Sequence, residues 1–155
     1  MQVRSFLSQH RTLCGVEAGS KKRALQVISQ LIAEDQPTLN ADDIFTSLIS
    51  RERLGSTGLG EGIAIPHCRI NNCASTVGAL IQLQSPIDYE SIDGQPVDIL
   101  FALIVPEEAH DEHLQTLAAI AEQLHQPGYL QSLRDASDSD NLYQAATEQD
   151  ANATL

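Results

Sequence analysis

Apolar residues at Ala24, Leu25, Ile28, Leu31 and Ile32 recur three and four apart, the spacing that gathers side chains on one helical face. Ser20 stands ahead of them as an N-cap, and Pro37 ends the helix behind them. A second stripe of Ile44, Phe45, Leu48 and Ile49 predicts another helix, capped by Asn40 and running out near Leu54 and Gly55. Asp42 and Asp43 fall in its electropositive first turn. A third stripe passes through Leu114, Leu117, Ala118, Ala121 and Leu124, with Pro127-Gly128 beyond it. Between the second and third helices the period changes. Val77, Ala79, Ile81 and Leu83 alternate with Gly78, Leu80, Gln82 and Gln84, which predicts a strand buried mainly on one face. Residues 97–105, VDILFALIV, are apolar except for Asp98, as a central strand covered on both faces requires. A short strand around residues 12–18 and short helices around 129–134 and 141–146 complete the pattern, and residues 148–155 read as a loose tail.

Interspersed helices and strands, with one strand needing cover on both sides, give an α/β class: a layered sandwich with a central mixed β-sheet flanked by helices on both faces. At 155 residues the chain is expected to form a single domain, residues 1–155, with a core that needs no disulfide or structural metal. Its apolar runs are too short to span a bilayer and its start lacks the pattern of a signal peptide, so a cytoplasmic location without membrane insertion is expected. Three cysteines, Cys14, Cys68 and Cys73, form no C-x-x-C pair and suit a reducing compartment. A formal charge of −12 argues against nucleic-acid partners, which need clustered Lys and Arg. The one basic run, Lys21-Lys22-Arg23, fits the solvated start of the first helix.

Four glycines fall within the eight residues GSTGLGEG, from Gly55 to Gly62, and predict a loop rather than a helix or strand. Such a loop could converge N–H groups on a phosphate, but the nucleotide motifs fail. Glu61 and Gly62 stand where a Walker A loop needs Lys and Ser/Thr, and Ile63 replaces the last glycine of a dinucleotide fingerprint. Ile63-Ala64-Ile65-Pro66 follows as an extended segment, because the residue before proline avoids the helical region. His67 comes at its end. A neutral imidazole is a nucleophile near pH 7 and can carry a phosphoryl group without a metal. Arg51 could supply a cation to the phosphoryl oxygens, the backbone of Ser56, Thr57, Gly58 and Gly60 could supply N–H groups, and His113 is the candidate second imidazole. His110, Asp111, Glu112 and His113 with Cys68 show no standard zinc-ligand spacing, so no metal site is expected.

The run RERLGSTGLGEGIAIPHC, residues 51–68, resembles the active-site signature of the type-2 IIA domains of the bacterial phosphotransferase system. SKKRALQVISQLIAE, IDGQPVDILFALIVPEE and HLQTLAAIAEQL look like its nitrogen-related branch, and the resemblance covers about residues 3–147. It implies that His67 is the phosphoacceptor, through Nε2, with Arg51 near the phosphoryl group and His113 as the second active-site histidine. It also implies a donor resembling the small phosphohistidine carrier HPr, with ATP and Mg²⁺ unnecessary as direct reactants and no cofactor. Regulated targets such as potassium transporters or sensor kinases are implied in the same way. Cys68 stands where the family often has glycine; its side chain could narrow the donor's approach or add redox sensitivity. Three functions remain open at this point: a regulatory phosphocarrier, a sugar-transport component passing phosphate to a IIB domain, and a binding module without transfer.

Overall fold

The computed structural model describes residues 2–109 and 111–153. Two short 3-10 turns, Val3–Ser5 and Gln9–Arg11, lead into β1 (Thr12–Val16), α1 (Lys21–Asp35) and α2 (Ala41–Arg53). Next come β2 (Gly58–Gly60), β3 (Ile63–Ala64), β4 (His67–Ile70), β5 (Val77–Ile87) and β6 (Val97–Pro106). The chain closes with α3 (Asp111–Leu124), α4 (Pro127–Asp135) and α5 (Ser139–Ala153). Both expected caps are made: Ser20 Oγ accepts from Arg23 N–H at 3.1 Å, and Asn40 Oδ1 from Asp43 N–H at 3.1 Å.

The six strands form one mixed sheet in the order β1-β5-β6-β3-β2, with β4 also on β6. Strand β6 runs antiparallel to β5 and parallel to β3 and β4. It is covered on both faces, as its sequence predicts. Leu100, Ala102 and Ile104 face a core with Leu25, Ile28, Ile44 and Leu48 of α1 and α2. Ile99, Phe101 and Leu103 face Ile120, Leu124, Leu133 and Leu142 of α3, α4 and α5. Each such side chain, fully buried, stabilises the fold by about 1.5–3 kcal/mol. The expected layered α/β sandwich is therefore the observed one.

Five local expectations are corrected. Residues 55–62 are not wholly a loop: β2 pairs antiparallel with β3, and the turn between them holds Gly60, Glu61 and Gly62 at positive φ. The strand at 77 is buried on both faces over its first half, because Gly78 and Leu80 are covered as well as Val77, Ala79 and Ile81. Helix α3 is turned relative to the predicted stripe, with His113, Ile120 and Leu124 buried while Leu114 and Ala118 are exposed. His67 does not merely end an extended segment but opens β4. The tail expected from residue 148 is helical as far as Ala153, and Asp150 is buried, accepting Val3 N–H at 2.7 Å and Arg4 N–H at 2.8 Å. Residues 154 and 155 lie outside the described residues, as does His110.

Candidate active site around His67

Strands β3 and β4 lie along β6 in one register, Ile63 opposite Ile99 and His67 opposite Leu103. Pro66 interrupts them because it has no N–H to donate. Its carbonyl still accepts Leu103 N–H at 2.9 Å, while Ile65 N–H turns to Thr57 O at 3.1 Å. Strand alternation then sorts the side chains. Ala64, Cys68 and Ile70 enter the core beneath α1 and α2, whereas Ile63 and Ile65 enter the opposite core. His67 shares the latter side, facing α3.

His67 Nδ1 lies 2.7 Å from Ile65 O. A carbonyl can only accept, so Nδ1 carries a proton, and in the neutral ring Nε2 presents a lone pair. Burial lowers the pKa of His67 below the ordinary histidine value, and the nearby Arg51 charge lowers it further. The bond to Ile65 O and the charge of Glu52 act the other way. The net direction favours a neutral ring at pH 7.

His113 comes from the first turn of α3 and lies with its ring centroid 5.6 Å from that of His67, the planes tilted by 49°. It is buried, and its Nδ1 has no hydrogen-bond partner among the described residues. Desolvation, then the neighbouring His67 and Arg69, lower its pKa too. Arg51, in the last turn of α2, donates from Nη1 to Gly55 O at 2.9 Å. Arg51, Ser56, Thr57, Leu59, Ile65 and His67 line a cleft of about 280 Å³, walled on the far side by Leu117, Ala118 and Ala121 of α3. The three side chains expected to act together thus converge on one place.

The hairpin's part differs from expectation. Thr57 N–H donates to Glu52 Oε1 at 3.0 Å, and Gly58 N–H to Ser56 Oγ at 3.1 Å. Ser56 Oγ donates in turn to Tyr89 O at 2.9 Å. The Thr57 and Gly58 N–H groups are spent on the fold, so they are not free to cradle a phosphoryl group. Gly58 is needed for packing: a Cβ there would stand 2.2 Å from Ser91 Oγ and 3.1 Å from Ser91 Cα. Gly60 serves the turn, at φ +91°.

The Cys68 side chain, one residue on, points to the opposite face of the sheet and is buried. It lies on the face away from the His67 ring, and burial, with Cys73 beside it, pushes its thiol pKa up to about 12, which suppresses the reactive thiolate. Among the described residues no group of three His, Cys, Asp or Glu is placed to hold a metal ion; the side chains of residues 110–112 are outside that set.

Sequence reasoning missed Glu52, which is buried beside Arg51 and reaches Thr57 and Lys21. A signal was available, since an acidic residue in the last turn of a helix opposes the helix dipole and asks for a local partner.

The sequence matches the family described as "Phosphoenolpyruvate-dependent sugar phosphotransferase system, EIIA 2" over residues 5–149. It is 44% identical over 148 residues to a nitrogen regulatory protein of Pseudomonas aeruginosa, covering 96% of each chain. It is 42% identical over 149 residues to a nitrogen regulatory protein of Escherichia coli K12, covering 96% of this chain and 91% of that one. The fold is similar to the crystal structure of nitrogen regulatory protein IIA-Ntr from Neisseria meningitidis, with a TM-score of 0.85 at 36% identity, covering 92% of this chain and 97% of that one. With nearly its whole length matched in sequence and in fold, the chain belongs to the EIIA 2 family of the phosphoenolpyruvate-dependent sugar phosphotransferase system.

Proposed function

We propose that this protein is a regulatory phosphocarrier that accepts a phosphoryl group on Nε2 of His67 from an HPr-like phosphohistidine protein and signals by its phosphorylation state. The observation that carries the reading is the bond from His67 Nδ1–H to Ile65 O, which, in the neutral ring that burial favours, leaves Nε2 as the nucleophilic atom. The Nε2 lone pair attacks phosphorus as the donor's N–P bond breaks, and the bonding pair returns to the donor's imidazole. Arg51 neutralises the phosphoryl oxygens. His113 hydrogen-bonds or orients the group as it arrives. One N–P bond replaces another, so the step is reversible and draws on no nucleotide. Leu54, just after α2, and Leu114, on α3, are 84% and 62% exposed and offer apolar surface to a protein donor.

The likeness to nitrogen regulatory proteins supports targets in nitrogen homeostasis, and the resemblance of the sequence extends the proposal to potassium transporters or sensor kinases. The same likeness and the absence of any described helix long and apolar enough to cross a membrane favour work in the cytoplasm. The test is incubation with the phosphohistidine relay, followed by intact mass. One acid-labile, alkali-stable phosphate supports the reading. An acid-stable phosphate on serine or threonine, or no phosphate, rejects it.

His113→Ala should accept phosphate about 10²-fold more slowly and still reach the same final mass, because the nucleophile survives and a stabilising contact is lost. A folded His113→Ala protein with no adduct at long times would show the two histidine roles to be misassigned.

A further inference from the structure

Glu52 is a buried carboxylate whose two oxygens are both occupied. Oε1 accepts from Thr57 N–H at 3.0 Å and from Lys21 Nζ at 2.9 Å, and Oε2 accepts from the Thr57 hydroxyl. Tyr89, fully buried, lies behind them. Its hydroxyl is 3.2 Å from Thr57 Oγ, and the Lys21 ammonium sits 4.5 Å from its ring centroid. Because the Thr57 hydroxyl gives its proton to Glu52, Tyr89 is the donor to Thr57 Oγ. Taking such a group out of water is costly unless each lone pair is met, and here Thr57, from the segment after α2, and Lys21, from the start of α1, meet them.

The network does not stop at Thr57. Its carbonyl accepts Ile65 N–H at 3.1 Å, and the Ile65 carbonyl accepts Nδ1–H of His67 at 2.7 Å. A continuous line of hydrogen bonds therefore joins the buried carboxylate to the imidazole. Arg51 is the residue before Glu52, so holding Glu52 also holds the end of α2 from which Arg51 projects.

We propose that Glu52 is a positioning residue for phosphoryl acceptance, fixing the ring of His67 through Thr57 and Ile65. The inference rests on the phosphocarrier reading above. In-line attack tolerates little error in position, and a displacement of about 1 Å can cost about 10²-fold in rate. The Glu52 charge acts on the ring as well, favouring its protonated form against burial and Arg51.

The experiment compares wild-type protein with Glu52→Gln, whose amide oxygen can keep one Thr57 bond while the charge and the Lys21 partner are lost. Two readouts are taken: the NMR titration of the His67 ring in unphosphorylated protein, and the rate of phosphate acceptance at varied donor concentration. Glu52→Gln should move the His67 midpoint to lower pH and cut the saturating rate by about tenfold or more, with the half-saturating donor concentration little changed. Ile28→Val, in the core under α1 and costing about 1 kcal/mol, is the control for stability alone and should leave both readouts in place. If Glu52→Gln does not fold, Thr57→Val carries the test, since it deletes the hydroxyl bond and keeps the charge; it should slow acceptance without lowering the midpoint. A wild-type rate in folded Glu52→Gln, or in Thr57→Val where that variant stands in, overturns the inference, as does the same shift in Ile28→Val. Wild-type protein that takes no phosphate overturns the phosphocarrier reading and this inference with it.

Discussion

On the proposed reading, a folded His67→Ala protein incubated with the complete phosphohistidine relay should gain no phosphate at any time. The substitution deletes the atom proposed to form the N–P bond, and no slower route is expected to replace it. His113 is the nearest candidate substitute, 5.6 Å away ring to ring, but it is buried on α3. The fold should tolerate the change, because His67 is only half-buried at the start of β4 and its ring makes one hydrogen bond among the described residues, to a carbonyl that water can reach once the ring is gone. Intact mass after long incubation is the measurement, with circular dichroism to show that the variant is folded. Histidine-linked phosphate on His67→Ala would place the acceptor elsewhere.

Asp150→Ala should destabilise the protein by roughly 3 kcal/mol, the loss of two charge-assisted hydrogen bonds to backbone donors. Asp150 is 1% exposed and accepts the N–H groups of both Val3 and Arg4, more than 140 residues away in sequence. Without the carboxylate the buried Val3 N–H has no partner, and the desolvation cost of that donor is added to the lost bonds. The Arg4 guanidinium, 3.4 Å from the same carboxylate but half exposed, adds little. Urea unfolding would report the change as a lower midpoint at an unchanged slope. A midpoint within experimental error of wild type would show that water meets the freed N–H groups.

What the sequence made legible was local. Ser20 and Asn40 act on N–H groups three residues ahead, so the starts of α1 and α2 could be read directly. The continuous apolar run of β6 likewise announced cover on both faces. What it concealed depended on distant partners. Glycines at 58 and 60 look like a loop because their strand pairing is secured from outside, by Glu52 on Thr57, by Asp93 on Glu61 N–H and by the close approach of Ser91. The face of α3 was missed because His113, Leu117, Ile120 and Leu124 are spaced as helically as Leu114, Leu117, Ala121 and Leu124, and tertiary packing alone chose between them. His67, Arg51 and His113 were proposed through a signature of residue types; His67 and Arg51 line one cleft, and the His113 ring lies beside that of His67. The Thr57 and Gly58 N–H groups, expected to serve a ligand, are bonded to Glu52 and Ser56 instead, since backbone donors in a glycine-rich segment are as useful to the fold as to a ligand.

The site takes one member from each layer of the sandwich: Arg51 from the helices on one face, His113 from those on the other, and His67 from the sheet between. No segment of the chain contains it, and no pair of layers completes it. A molecule with either helical layer detached keeps its histidine but has only an open flank, with no cleft for a donor to recognise. On the proposed reading, labelling by phosphate is then a census of fully assembled molecules. Nascent, damaged or half-melted chains stay silent, and the relay wastes no phosphoryl groups on copies that could not deliver the message.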